Sequence, residues 1–126
     1  MSLSMATLYM TAPSRETAET IGRALLEKRL VACVNILGRI TSLYRWEGEI
    51  QEDEEVLLLA KTQMRVAHKA IQLVKEVHSY DVPCVTVLPV LKANPDYAAW
   101  VRGETTPQEP QLDQSAGEAY KQKEEG

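Results

Sequence analysis

Phenylalanine is absent from the 126-residue chain, so its aromatic surface comes from five Tyr and two Trp. Cysteine is nearly absent: Cys33 and Cys84 are too few for a disulfide framework and show no CxxC spacing. A reducing cytoplasm is therefore the expected compartment. An excess of basic charge is also missing. Lys and Arg number 14 against 18 Asp and Glu, for a net charge of −4 and a pI near 5.2. That excludes the basic stripe a nucleic-acid binder needs and the polybasic patch of a membrane-surface protein. No run approaches the roughly 18 consecutive apolar residues of a spanning helix. The start, Met1 to Ser4, lacks the basic and apolar regions of a signal peptide; with Met5 available as a start, residues 1–4 read as an N-terminal extension. GxGxxG, P-loop, HExxH and GxSxG motifs are all missing. What is present is 44% hydrophobic and 25% charged, in proportions that suit one folded domain.

Charge marks where that domain ends. Residues 103–126 hold six acids (Glu104, Glu109, Asp113, Glu118, Glu124, Glu125) and two bases (Lys121, Lys123), which accounts for the whole net charge. Leu112 and Tyr120 are its only large apolar side chains. Such a segment buries too little to fold by itself. The domain is read as residues 5–102, followed by an acidic tail.

Within the domain, hydrophobic period separates strands from helices. Thr7 to Ala12 is a short β-rich run ended by Pro13. Ser14 is placed as an N-cap, with Glu16 in the first turn, and Ala18, Ile21, Leu25 and Leu26 recur at helical steps. Leu30 to Tyr44 is β-rich, with Gly38 a bulge or bend, and Glu47-Gly48 marks a turn. Val56 to Ala60 returns beside it as a buried strand, completing a long hairpin. Thr62 is predicted to cap a second helix built on Ala67, Ala70, Ile71, Val74 and Val77. Val85 to Leu88 is a last strand stopped by Pro89, and Asn94 to Arg102 a short helix with Pro95 in its first turn. The order β-α-β-β-α-β plus a short helix predicts an α+β, ferredoxin-like split-βαβ sandwich with both helices on one sheet face. The other face needs a cover, which predicts self-association.

Few residues carry chemistry in an obvious pattern. Six of the nine residues from Glu47 to Glu55 are acidic, but without the spacing of an EF-hand loop; they read as a solvated hairpin tip. Cys33, between Ala32 and Val34, reads as a small core residue. Cys84 follows Pro83 at a strand start, six residues after His78, and reads as an inert, at most partly accessible thiol. His78, Ser79 and Asp81 are too close along one element to form a hydrolytic relay. Of the two histidines, His68 is expected in the exposed early turns of the second helix. His78 falls at its end, where its ring is expected to reach out of the core.

A family resemblance adds to this reading. Thr11-Ala12-Pro13, Ala32-Cys33-Val34-Asn35-Ile36, the run Ser42-Leu43-Tyr44-Arg45-Trp46-Glu47-Gly48-Glu49-Ile50, Lys61-Thr62, Leu88-Pro89-Val90 and Asp96-Tyr97-Ala98-Ala99-Trp100 stand in the order seen in the CutA family of divalent-cation tolerance proteins. The chain resembles that family over about residues 6–102. The resemblance implies a tight homotrimer with clefts between subunits, here lined by Tyr44, Trp46, Lys61, Tyr80 and Trp100. It also implies non-catalytic tolerance of divalent metals, copper above all, with no required cofactor. Copper-binding members carry a Cys before Thr-Ala-Pro and two His before Pro-Tyr; this chain has Met10 at the first position and Val77-His78 before Ser79-Tyr80. The implied metal ligands are His78, with help from Met10 or a carboxylate such as Glu54. The alternative is a small-ligand sensor or interaction module resembling the PII signalling trimers, which would need a long loop and basic residues near the clefts, for which Lys61, Arg39 and Arg45 are the candidates.

Overall fold

In the computed structural model, which describes residues 5–106, the elements run β1 (Met5–Ala12), α1 (Arg15–Glu27), β2 (Cys33–Trp46), β3 (Glu49–Gln63), α2 (Ala67–Val77), β4 (Val85–Val90) and α3 (Pro95–Glu104). The strands form one antiparallel sheet in the order β2-β3-β1-β4, the expected split-βαβ arrangement. The readings of residues 1–4 and of the acidic tail from 107 onward fall outside the described residues.

Alternation along the strands decides which face is buried. In β1, Ala6, Leu8, Met10 and Ala12 point to one side and meet Thr62, Ala60, Leu58 and Val56 of β3 in register. All eight are at most 7% exposed. Ile21 and Leu25 of α1 and Ala70 and Val74 of α2 close over them and are fully buried. Gly22 allows α1 to lie close to β2, since a Cβ there would sit 3.4 Å from a Val34 methyl. The opposite, open face carries Thr7, Tyr9 and Thr11 of β1, Leu57, Leu59 and Lys61 of β3 and Cys33, Asn35 and Leu37 of β2. Helix α3 lies beside the end of this face near Cys33 and Gln63.

Helix ends follow local chemistry. Ser14 caps α1 by accepting a 3.1 Å bond from the Thr17 amide, as its sequence position predicts. At the other end Arg29 adopts a left-handed φ of 57°, so that the Leu30 amide closes onto Leu25 O at 2.9 Å. Thr62 does not cap α2. It remains in β3, fully buried, and its hydroxyl donates to Leu30 O at 2.7 Å; a 3-10 turn over Met64–Val66 then leads into α2 without a side-chain cap. Pro89 sits inside β4 rather than ending it. An edge strand tolerates it, because one side of β4 has no partner to receive an N–H.

Strands β2 and β3 outrun the rest. Pairing of β1 with β3 stops at Ala12 and Val56, whereas β2 and β3 continue paired to Trp46 and Glu49. Beyond Glu55 they form a bare two-stranded ribbon, the arm. A register shift between Leu37 and Ile40 marks its root: Arg39 takes a φ of 26° and Gly38 stands beside it. The arm ends in Glu47-Gly48, with φ of 51° and 82°, the two positive values a tight twisted hairpin turn requires.

Candidate functional site at the arm root

Asp53 and Glu55 lie two residues apart on β3, so alternation sends both to the open-face side. Ser42 and Tyr44 of β2 project to that same side across the ribbon. Tyr80 arrives from the connection between α2 and β4. The Ser42 hydroxyl donates to Glu55 Oε1 at 2.6 Å, and the Tyr80 hydroxyl donates to Glu55 Oε2 at 2.9 Å. The Tyr44 hydroxyl donates to Asp53 Oδ2. A phenol is thus held against each carboxylate. The hydrogen bond to Asp53 raises Tyr44 above the ordinary phenol range. Partial burial, then the Glu55 bond, pushes Tyr80 up to about 12. Both phenols stay neutral, and neutral hydrogen-bond donors, at ordinary pH.

His78 sets the position of Tyr80. Its ring does not reach out of the core; the residue is 8% exposed. Nδ1 accepts the Tyr80 amide at 3.0 Å, which leaves Nε2 to carry the proton and donate to Thr11 O at 2.8 Å. The Tyr80 ring packs on the imidazole with centroids 4.8 Å apart. With both nitrogens engaged, no lone pair is free for a metal in this arrangement. Met10 is fully buried in the core, and Glu54 lies on the arm in an exposed 3.0 Å ion pair with Arg39. The donor atoms of His78, Met10 and Glu54 therefore face a backbone carbonyl, the core and solvent, respectively. Among the described residues no three His, Cys, Asp or Glu side chains are placed to share an ion.

Of the five aromatic and basic cleft residues, only Tyr44 and Tyr80 meet in one cluster. Trp46 is near the arm tip and 54% exposed. Lys61 Nζ donates to Asn35 Oδ1 at 3.0 Å on the open face. Trp100 stacks on Tyr97 of the same helix at 5.6 Å. Cys33 is half-buried rather than a core residue, because it belongs to the open face; its sulfur lies 3.3 Å from the Tyr97 hydroxyl. That contact, followed by burial, pushes Tyr97 up to about 12. Cys84 is an exposed residue whose sulfur is partly desolvated. Burial of its sulfur outweighs a hydrogen bond with Thr11 and raises the thiol's pKa. Ser42, Asp53 and Glu55 were not singled out by sequence. The signal was available: within the acidic run, residues 53 and 55 alternate in step with Ser42 and Tyr44.

Residues 6–104 match the family described as CutA1 divalent ion tolerance protein. The chain belongs to that family. It is 48% identical over 98 residues to the divalent-cation tolerance protein CutA of Thermus thermophilus, covering 78% of this chain and 95% of that one. A solved structure of the Thermus protein superposes with a TM-score of 0.79 at 45% identity, covering 81% of this chain and 99% of the other. A CutA from Archaeoglobus fulgidus, described as periplasmic, gives 0.79 at 36% identity over 81% and 99%. The chloroplastic CutA of Arabidopsis thaliana is 37% identical over 78% of this chain, which spans 54% of that protein. These relatives overturn the cytoplasmic expectation: two cysteines without a framework exclude a disulfide-stapled protein, but they do not choose a compartment. No helix among the described residues is long and apolar enough to cross a membrane.

Proposed function

We propose that this chain acts as a homotrimer that supports tolerance of divalent cations by binding them without catalysis, copper being the first cation to test. The observation that carries this reading is the arm. A two-stranded ribbon is marginal in water on its own, yet this one extends well past β1 with Leu43 67%, Trp46 54% and Ile50 71% exposed. The open sheet face adds Leu37 and Leu88, at 44% and 47%. Copies of the chain laid edge to edge along the arms would bury these side chains together and remove exposed strand edges. The many carboxylates along the arm supply oxygen donors for divalent ions, and membership of a divalent ion tolerance family supports that use. A PII-like sensor fits less well: a two-residue turn occupies the place of a long loop, Arg39 is paired with Glu54, and Lys61 is bonded to Asn35.

Light scattering should give one species of about three 14.1 kDa chains at low micromolar concentration. Calorimetric titration with Cu(II) and Zn(II) should give saturable binding without turnover of any added ester or phosphate. A stable monomer would overturn the assembly, and the absence of binding by either ion would overturn the cation reading.

A further inference from the structure

The donors proposed for divalent ions are carboxylates of the arm, and they leave one buried titratable group unused. His78 is 8% exposed, and both of its ring nitrogens are engaged. Its backbone closes α2, where its amide donates to Val74 O at 2.9 Å. Beyond it, residues 79–83 belong to no helix or strand and make no backbone-to-backbone hydrogen bond among the described residues. Side chains hold this stretch down instead. The Tyr80 amide donates to His78 Nδ1 at 3.0 Å, and the Tyr80 hydroxyl donates to Glu55 Oε2 at 2.9 Å. The ring itself is anchored to the end of β1 through Nε2, which donates to Thr11 O at 2.8 Å. One imidazole therefore joins β1, the 78–84 connection and, through Tyr80, the arm root.

An imidazole can join them in one protonation state only. The neutral Nε2–H tautomer offers one donor and one acceptor, which match the Thr11 carbonyl and the Tyr80 amide. A second proton, taken from solvent at Nδ1, turns that acceptor into a donor facing the Tyr80 N–H. The contact is then lost, and the Tyr80 amide has no backbone partner to replace it. From this geometry we propose that His78 is an acid-operated switch: protonation of its ring frees the 78–84 connection and withdraws Tyr80 from Glu55, so that the arm root loses its tie to β1. Neighbouring groups do not share the role. Tyr80 touches the ring, Cys84 is bonded to Thr11, Glu55 and Asp53 of β3 lie beyond the Tyr80 hydroxyl, and Lys75 and Glu76 of α2 and Asp81 of the connection are exposed. Ordinary carboxylates titrate near about pH 4, and thiols, phenols and amines above about pH 8. Imidazole is the side chain that changes charge in between.

The test is nitrogen-15 NMR of the full-length protein in its native assembly, labelled at histidine and tyrosine and titrated from pH 8 to pH 5 with a chelator present. At pH 8 the His78 nitrogens should show the Nε2–H tautomer, and the Tyr80 amide should be protected from hydrogen exchange. Because one proton is taken up, the open population should grow about tenfold per pH unit once the ring titrates. It is read as lost protection of the Tyr80 amide, corrected for the intrinsic pH dependence of exchange. His68, exposed on α2, reports an imidazole outside the switch, and His68→Gln should leave the response unchanged. His78→Asn offers an oxygen to the same amide two residues on, as in an Asx turn, but does not titrate; its Tyr80 amide should stay protected throughout. Circular dichroism and light scattering check that fold and assembly are kept. If His78→Asn fails that check, the ring nitrogens and the Tyr80 amide of the wild type decide alone. A Tyr80 amide that stays protected while His78 takes up its proton, a His78 ring still neutral at pH 5, or equal loss of protection in wild type and His78→Asn would each overturn the switch. The chelator keeps divalent ions out of the measurement, so the cation reading and this one fail or stand independently.

Discussion

The sandwich and the arm are made from the same two strands, yet they are held by different forces. From Val56 to Gln63, β3 has β1 on one side, β2 on the other and two helices over its inner face, and its inward side chains are fully or nearly fully buried. From Glu49 to Glu55, the same strand has one neighbour, and hydrogen bonds between polar side chains replace packing. The sandwich is closed within one chain. The arm leaves Leu43, Trp46 and Ile50 exposed within one chain, and its root is where buried support and exposed donors meet.

The comparison breaks most directly at matched aliphatic positions. Leu58→Ala, fully buried between β1 and the helices, should cost about 2–5 kcal/mol, since the cavity adds to the lost transfer energy. Ile50→Ala on the arm, 71% exposed, should cost under about 0.5 kcal/mol in a monomer. Denaturant unfolding of both variants measures the difference. A large cost at Ile50 would show that the arm is buried in the assembly, and it should come with a change in oligomer mass.

These two regions were not equally legible in the sequence. The sandwich was, because its information is periodic: the strand and helix steps of Leu8, Ile21, Leu58 and Val74 each point at one core. Turn chemistry was legible too, at Ser14, Gly38 and Glu47-Gly48. Thr62 was misread because a Thr ahead of a helical pattern resembles a cap; only the tertiary contact with Leu30 O explains why the strand continues through it. His78 was misread for a related reason. A helix-end imidazole has no fixed orientation until the chain folds Thr11 O and the Tyr80 amide against its two nitrogens. The cluster at the arm root joins residues 42–44, 53–55 and 80, and no single window of sequence contains it.

Smaller effects sharpen the boundary. Thr62→Val keeps the shape and removes the bond to Leu30 O, leaving a buried carbonyl unsatisfied at a cost of about 1–3 kcal/mol; chemical denaturation reads it. At the far end of the arm, Gly48→Ala meets no atoms within 4 Å but must hold a φ of 82°, which costs about 1–2 kcal/mol. If the arm folds cooperatively with the sandwich, that cost appears in global stability. If the arm frays alone, hydrogen exchange speeds up only between Ile40 and Glu55.

The smallest effect is the pH response of the latch between arm and sandwich. Tyr80 titrates near the ordinary value of about 10 in the unfolded chain and at about 12 when folded. The folded state therefore favours the neutral phenol, so its contribution to stability is complete below pH 10. As pH rises from 10 towards 12, the unfolded chain loses this proton first, and stability falls. Above that range the phenolate opposite Glu55 adds like-charge repulsion between the 78–84 connection and β3. Tyr80→Phe should be slightly less stable at pH 8, having lost the bond to Glu55, and its stability should decline less between pH 10 and 12. Thermal unfolding of both proteins at pH 8 and across that range compares the slopes, with Tyr9→Phe as a control because Tyr9 lies on the open face outside the cluster. Equal slopes for wild type and Tyr80→Phe would mean that the contact with Glu55 does not tie the arm to the sandwich.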